Sequence, residues 1–522
     1  MELTWFSLLP PLVVVISALA TQRLNPSLFL GAVSACLIGA NFCLPGTVHL
    51  LFKHGWSTLR DLDNLYLFAY LFIIGVLITL LNCTGAATAF AKKASERIKS
   101  AKGAQKFSLL LSGLLSIDDY LSILTVGYVM RSLTDRFGIS RLKLAFLVHS
   151  IATPLIILAP YSSWVPVVTG SIDNPNYIST DSLLTYLMSV PFIFYSFCAI
   201  GSVWFIINRK ISYGPMRQHE KDAHEANTAP EPATPPNSSI FDLILPLSIL
   251  VGGLFIGIPF AGGYHLFGGS KTLIQSLQQN DYALLVMFAS VTLAFCVATI
   301  SAVLKGQIAP KRVPNVIYIG LEMMKPAVVM VFFAFVLSDL LRNVVMTGEY
   351  LAHLLLGSVP LYLLPVMFFF TALINTLAIG SAWATFGILP PIAIPMTLGL
   401  LQVATPTTIE AAPLLLPVIG AIFAGAICGN HLSPFSETTM LTATSTNTTP
   451  WAHAYTQFFY MLPAVLGSIV SYVIAGLLIS WSPLLNAALS LAAGLCICIA
   501  LLLLFNRLSG SKKTATQNVV SS

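Results

Sequence analysis

Charge is scarce in this chain. Only 9% of its 522 residues are Asp, Glu, Lys or Arg, against about a quarter in a soluble domain. That excludes an ordinary water-facing surface. The formal net charge of +6 is gathered in a few loops, which is a topology pattern and says little about nucleic acid, which is not an expected partner. Cysteine is thinly spread. Its eight copies fall in or beside apolar stretches, with no Cys/His cluster of metal-site spacing. No motif sets a nucleophile against a base, so an enzyme is not expected. The first apolar run, Trp5–Ala20, has no basic leader and no evident cleavage site, and is kept as a span.

What the chain has instead is hydrophobicity, at 56% of residues. Apolar runs of 18 or more residues follow one another, the signature of an all-α polytopic membrane protein. The expected spans are Trp5–Ala20, Pro26–Leu44, Leu65–Ala91, Leu144–Val168, Ser182–Ile207, Phe241–Phe260, Tyr282–Val303, Val313–Val345, Pro413–Thr449, Tyr455–Ser480 and Leu485–Phe505. Leu50–Asn64 reads as a mixed loop holding at most a short interfacial helix. Arg209–Ser239, rich in Pro, Ala and Glu, reads as a disordered cytoplasmic linker.

Two segments fit no simple span. Phe107–Met130 lies between Lys92–Lys106 and Arg131–Lys143, two basic loops that belong on the same, cytoplasmic side. It is too short to cross twice at about 20 residues per crossing. A re-entrant hairpin with its tip near Ser116–Tyr120 meets both constraints. Leu361–Leu401, with no Lys or Arg at its flanks, reads as a second hairpin entered from outside. About eleven transmembrane helices and two hairpins result. Arg507, Lys512 and Lys513 place the C-terminus inside.

The strongest local signal is NHLSPFSETT, Asn430–Thr439. Pro434 removes a backbone donor in mid-segment and breaks the helix. A break at membrane depth is tolerated only beside protein or a water-filled cavity, and a carboxylate there, Glu437, marks function by default. APYSSW, Ala159–Trp164, breaks an earlier span in the same way. LAPYSS and LSPFSE recur at an offset of 274, and Thr84–Gly85 and Thr347–Gly348 at 263, as do the two hairpin tips. The order implies two copies, each with one hairpin and one broken helix. Counting crossings inverts the second copy, which is a pattern of secondary transporters. The expected divisions are N-terminal spans 1–64, a first repeat 65–207, the linker 208–240, connecting spans 241–312, a second repeat 313–482, and a last span with tail 483–522.

These motifs, with DDYLSILTVGYVMRSLTDRFGISRLKLAF (Asp118–Phe146), GSAWATFG (Gly380–Gly387) and GNHLSPFSETTMLTATS (Gly429–Ser445), resemble the NhaC family of Na⁺/H⁺ antiporters over most of residues 65–470. The resemblance implies alternating-access exchange of Na⁺ or another monovalent cation against protons in a bacterial inner membrane. The chain departs from the family pattern in three places. His149 stands where the family has an acidic residue, Asn430 where it has Asp, and Glu437 where it has Asp. Relatives also exchange organic acids or amino acids, so a Na⁺- or H⁺-coupled carrier of a small organic solute is the second reading.

The candidate binding residues are Asp118, Asp119, Ser162, Ser163, Asn375, Ser381, Trp383, Asn430, Ser433, Ser436, Glu437 and Thr438, with Na⁺ as the expected cargo and no cofactor. Hard cations prefer oxygen donors, which these hydroxyls and carboxylates supply. Asp118 and Asp119 adjoin at a hairpin tip. Close carboxylates in low dielectric cannot easily both ionise, so one would carry a proton. Asp118, Asp119, His149 and Glu437 are therefore the proton-coupling candidates. Glu322 with Lys325, and Asp339 with Arg342, are expected to neutralise each other along one helix. The partners implied are a small ion or solute and the lipid bilayer, with homo-oligomerisation left open.

Overall fold

A computed structural model describes all residues except 1–4, 22, 87–88, 90–97, 117, 161, 224–236, 279–281, 356–357, 435 and 521–522. The described residues form helices and no strands. Among the described residues, nine helices are long and apolar enough to cross a membrane, or eleven if each of two bent pairs is one span. The chain is a multi-pass integral membrane protein.

In chain order the helices are α1 (Leu9–Thr21), α2 (Leu24–Gly39), α3 (Leu44–Arg60), α4 (Leu62–Cys83), α5 (Ala101–Leu114), α6 (Asp119–Arg136), α7 (Arg141–Leu158), α8 (Val165–Ile172), α9 (Ser182–Ser189), α10 (Phe194–Arg209), α11 (Gly214–Ala223) and α12 (Phe241–Ala261). They continue as α13 (Leu273–Gln278), α14 (Ala283–Leu304), α15 (Val313–Asn343), α16 (Thr347–Leu355), α17 (Leu364–Ile379), α18 (Ala382–Ile388), α19 (Pro390–Leu401), α20 (Leu415–Leu432), α21 (Glu437–Thr446), α22 (Pro450–Leu477) and α23 (Pro483–Val520).

Several starts follow from local chemistry. Asp61 accepts from the amides of Asp63 and Asn64 and caps α4. Ser100 caps α5 and Ser140 caps α7 through the third residue onward in each case. Thr449 caps α22, and Pro450 supplies its first turn. Gly380, at φ +79, turns the chain between α17 and α18 in a left-handed conformation that suits glycine.

The sequence of elements recurs. A long span (α4, α15) leads to a hairpin (α5/α6; α17 with α18 and α19), a broken helix (α7/α8, α20/α21) and a further span (α9/α10, α22). Both hairpins fold back on themselves. The Ser122 hydroxyl reaches the Ser112 carbonyl in the first, and Thr376 reaches Thr385 in the second. The packing is reciprocal: α6 lies on α21 of the other half, while α18 and α19 lie on α8. Close approach is built from small residues, as in other membrane bundles. A Cβ on Gly127 would sit 2.0 Å from Ser445 Oγ, and one on Gly429 would sit 2.6 Å from the Leu373 carbonyl oxygen. These contacts seal α6 to α21 and α17 to α20.

Five expectations need correction. Residues 44–60 are a continuous helix, α3, with Leu44, Val48, Phe52 and Trp56 exposed along one stripe; the preceding span stops at Gly39. Four-residue spacing stacks those apolar side chains on one face, which suits a helix lying at the membrane interface. The linker is ordered over α11, because Met216 buries against the bundle and Glu220 reaches the buried Lys143 at 3.3 Å. Residues 224–236 of that linker lie outside the described residues. The span Ser182–Ile207 bends by 46° at Val190–Phe192, where Pro191 interrupts it. Glu322 and Lys325 do pair, at 3.3 Å. Asp339 and Arg342 stay within electrostatic reach of each other but spend their hydrogen bonds elsewhere: Asp339 takes His54 at 2.5 Å and Asn343, while Arg342 donates to the carbonyls of Ser171 and Asp173. Tertiary packing offered both ends better partners than their own helix did. Of the first basic loop, Lys92, Lys93 and Arg97 lie outside the described residues.

Candidate functional site

The first hairpin tip and the first break meet. Asp118 and Asp119 are each 1% exposed. Ser163 donates to Asp118 Oδ2 at 2.8 Å, and the Trp164 indole donates to Asp119 Oδ1 at 3.3 Å. Ser163 and Trp164 belong to the interrupted stretch between α7 and α8, and α6 starts at Asp119. One break thus supplies both donors to the tip carboxylates. Adjacent residues point apart on a helix; at its first turn both can face inward.

Three further oxygens crowd this point. Asp119 Oδ2, Ser162 Oγ and Tyr70 OH are buried and have no hydrogen-bond partner among the described residues. Tyr70, on α4, lies within electrostatic reach of Asp118. Glu437, at the first turn of α21, accepts a hydrogen bond from Tyr120 and is within electrostatic reach of Asp118 and Asp119. Unlike them it is exposed, as are Met440 and Thr444 on the same face of α21. The carboxylate triad therefore runs from a sealed tip to an open face.

The second hairpin adds an aromatic wall. Trp383, on α18, lies 5.5 Å from Trp164 by ring centroids, and Phe386 lies 5.6 Å from it. Ser381, at the turn, is buried with its hydroxyl on Met330 Sδ. Asn375 donates to Thr385 at 2.9 Å and so braces the hairpin internally. Ser433, at the second break, reaches the Leu377 carbonyl at 3.1 Å. These two polar side chains thus bind their own architecture.

The remaining candidates form a separate buried network. Ser436 bonds to Asn430 Oδ1 and lies 2.9 Å from Thr438 Oγ1, which lies 2.9 Å from His149 Nε2. His149 Nδ1 lies 3.0 Å from His453 Nε2. His431 joins through Thr153 at 2.6 Å and Tyr195 at 2.9 Å, and Gln457 touches both His149 and the His431 carbonyl. His149, His431 and His453 are all fully buried. His431, His453, Tyr195, Gln457, Tyr70, Tyr120 and Trp164 are not among the residues that sequence reasoning selected. His431 inside the Asn430–Thr439 motif, Trp164 at the end of Ala159–Trp164 and Tyr120 at the hairpin tip carried a local signal. Among the described residues, no three His, Cys, Asp or Glu side chains are grouped as a metal site. A cation here would rest on mixed hydroxyl and carboxylate oxygens.

A cavity of about 400 Å³ lies elsewhere, at the α3–α4 turn, lined by Asp61, Asp63, Asp173, Asp339 and Arg342. It touches α8 at Val165 and Thr169, directly after the residues that hold Asp118 and Asp119.

Comparison with known proteins agrees with this architecture. An uncharacterized protein of Haemophilus influenzae is 30% identical over 491 residues, covering 90% of this chain and 91% of that one. The Alcanivorax borkumensis YdaH transporter superposes with a TM-score of 0.50 at 18% identity, covering 84% of this chain and 90% of its own. Neisseria gonorrhoeae MtrF, described as illuminating a class of antimetabolite efflux pumps, superposes at 0.53 with 16% identity, covering 89% of this chain and 85% of its own. At such identities the two structures share the fold. Residues 155–477 match the Na⁺/H⁺ antiporter family, and this chain, with its hairpins, broken helices and buried tip carboxylates, belongs to that family.

Proposed function

We propose that this secondary transporter exchanges a monovalent cation, Na⁺ first among them, for protons at Asp118, Asp119 and Glu437. The observation that carries the reading is the set of buried, unpartnered oxygens beside the tip: Asp119 Oδ2, Ser162 Oγ and Tyr70 OH. An unsatisfied buried oxygen costs free energy, and a hard cation satisfies several at once. Carboxylates a few ångströms apart resist ionising together. A proton and a cation would then compete for one site, which is the minimum requirement of exchange. Alternating access would follow from the two halves moving about the reciprocal α6–α21 and α8–α18 contacts. The basic loops favour a cytoplasmic C-terminus, and the family favours a bacterial inner membrane.

A second reading is supported by the paired indoles. Trp164 and Trp383 pack at 57° to each other, and Trp164 donates to Asp119, so an aromatic wall stands beside that carboxylate. Such a wall suits a small organic solute bearing a cationic group better than a bare ion.

Purified protein in liposomes under an imposed pH gradient separates the two. Uptake of Na⁺, K⁺ or Li⁺ without any organic solute supports cation exchange. Gradient-driven uptake of an amino acid or organic acid, with no cation flux of its own, would replace it by the second reading. Glu437→Gln keeps the shape of the side chain and cannot release a proton, so it should abolish coupled exchange in a protein that still inserts. Wild-type, pH-dependent exchange in that variant would remove Glu437 from the site.

A further inference from the structure

The ring tautomers in the buried histidine network follow from their partners. His431 Nε2 faces two oxygens, the His149 carbonyl at 3.1 Å and the Thr153 hydroxyl at 2.6 Å. A carbonyl only accepts, so Nε2 carries the hydrogen and the hydroxyl is its nearer acceptor. His431 Nδ1 then accepts from the Tyr195 hydroxyl at 2.9 Å. Both nitrogens of His431 are occupied.

Gln457 sits 2.9 Å from the His431 carbonyl oxygen through Nε2, which fixes its amide orientation. The same nitrogen lies 3.2 Å from His149 Nδ1, so that ring atom accepts. The 3.0 Å contact between His149 Nδ1 and His453 Nε2 therefore places its hydrogen on His453. Neutral His149 keeps its hydrogen on Nε2 and donates to Thr438, which donates to Ser436, which donates to Asn430 Oδ1. All the bonds point one way.

Two acceptors are left over. His453 Nδ1 and Gln457 Oε1 are buried without a partner among the described residues. They lie four residues apart on α22 and share a face. The groups facing the rings are His149 and Thr153 from α7, His431 from α20, Thr438 from α21, Tyr195 from α10, and His453 and Gln457 from α22. Among the described residues no Asp, Glu, Lys or Arg hydrogen-bonds to any of the three. The nearest charge along α7 is Lys143, which is held by Glu220.

We propose that His453 and His149 form a two-ring proton relay loaded at His453 Nδ1, with His431 a positioning residue that does not titrate within it. A proton arriving at His453 Nδ1 makes that ring an imidazolium. The hydrogen on its Nε2 then passes to His149 Nδ1. His453 is left neutral with its hydrogen on Nδ1, and His149 carries the charge. The His149–His453 bond survives with its direction reversed, and only the Gln457 contact to His149 is lost. Charged His149 donates more strongly to Thr438, at the first turn of α21 beside Glu437. A cation at the carboxylates and a proton on His149 would repel each other across that turn. This step rests on the proposed proton-coupled transport, and it sets a movable positive charge beside that site without using a carboxylate.

The relay is tested on the wild-type protein by ¹⁵N NMR of labelled histidine side chains between about pH 5 and 8. His431 should stay a single Nε2–H tautomer throughout, while His149 and His453 change together. Titration of His431, or static signals from His149 and His453, would overturn the relay. In liposomes, His453→Gln and His149→Asn should each lower pH-gradient-driven flux about tenfold relative to counterflow in the same vesicles. An unchanged ratio in both would also overturn it. No gradient-driven flux of any solute by wild type would defeat the transport reading instead, and the NMR result would still judge the relay.

Discussion

The two breaks, Ala159–Trp164 and Leu432–Ser436, occupy equivalent places and are chemically opposite. At the first, Ser163 and Trp164 spend their donors on tip carboxylates, and Ser162 and Asp119 keep unpartnered oxygens. At the second, Ser436, Thr438 and Asn430 bond to one another and to His149, and Ser433 bonds to the hairpin beside it. One break is left with unmet polar demand; the other is closed. Repeated architecture thus holds one break with unpartnered oxygens and another whose polar side chains bond to one another. Two equal chains of residues need not carry two equal sites.

The largest expected effect falls on the first break. Asp119→Asn or Asp118→Asn should reduce pH-gradient-driven uptake to the level of protein-free vesicles, because neither can exchange a proton for a cation. Asn430→Ala should retain part of that uptake. Equal loss in both would erase the distinction between the breaks.

Next in size are the glycine seals. Gly429→Ala drives a Cβ into the backbone of α17, which cannot yield. Overpacking of this kind costs about 1–3 kcal/mol. At Gly127 a new Cβ meets Ser445 Oγ, which can rotate away, and Ser445 Cβ at 2.6 Å, which cannot, but no backbone N or O lies as close as at Gly429. Thermal unfolding in detergent should show Gly429→Ala as the more destabilised. The reverse order would mean that α6–α21 is the more rigid contact.

The serines come last, the first of them comparable in size to the glycine seals and the second the smallest effect of all. Ser163→Ala removes a bond to a carboxyl group, worth about 1.5–3 kcal/mol where that group is ionised. Ser433→Ala removes a neutral bond worth about 0.5–1.5 kcal/mol. Added Na⁺ should protect wild type against unfolding and protect Ser163→Ala less, while Ser433→Ala should respond like wild type. Equal protection of all three would take Ser163 out of the binding end.

Much of this was legible in the chain itself. Pro434 announced its break, and the Asp118–Asp119 pair between two basic loops announced a hairpin tip. The histidine network was not legible as a whole. His149, His431 and His453 lie on three helices, and nothing in their spacing says that they touch. Arg342 reads as the partner of Asp339 three residues away, yet it caps the carbonyls that end α8, a segment about 170 positions distant. The composition of 211–223 looks like linker, and only tertiary contacts, Met216 buried in the bundle and Glu220 on the buried Lys143, give that stretch a reason to fold.

The sequence by itself determined where helices run and where they stop. In lipid each helix must satisfy its own backbone, so apolar length, proline, glycine and capping residues decide its limits locally. The tertiary structure alone decided which polar side chains found partners and which did not. Those bonds join residues tens to hundreds of positions apart, and their existence depends on how helices pack, which short-range chemistry does not encode.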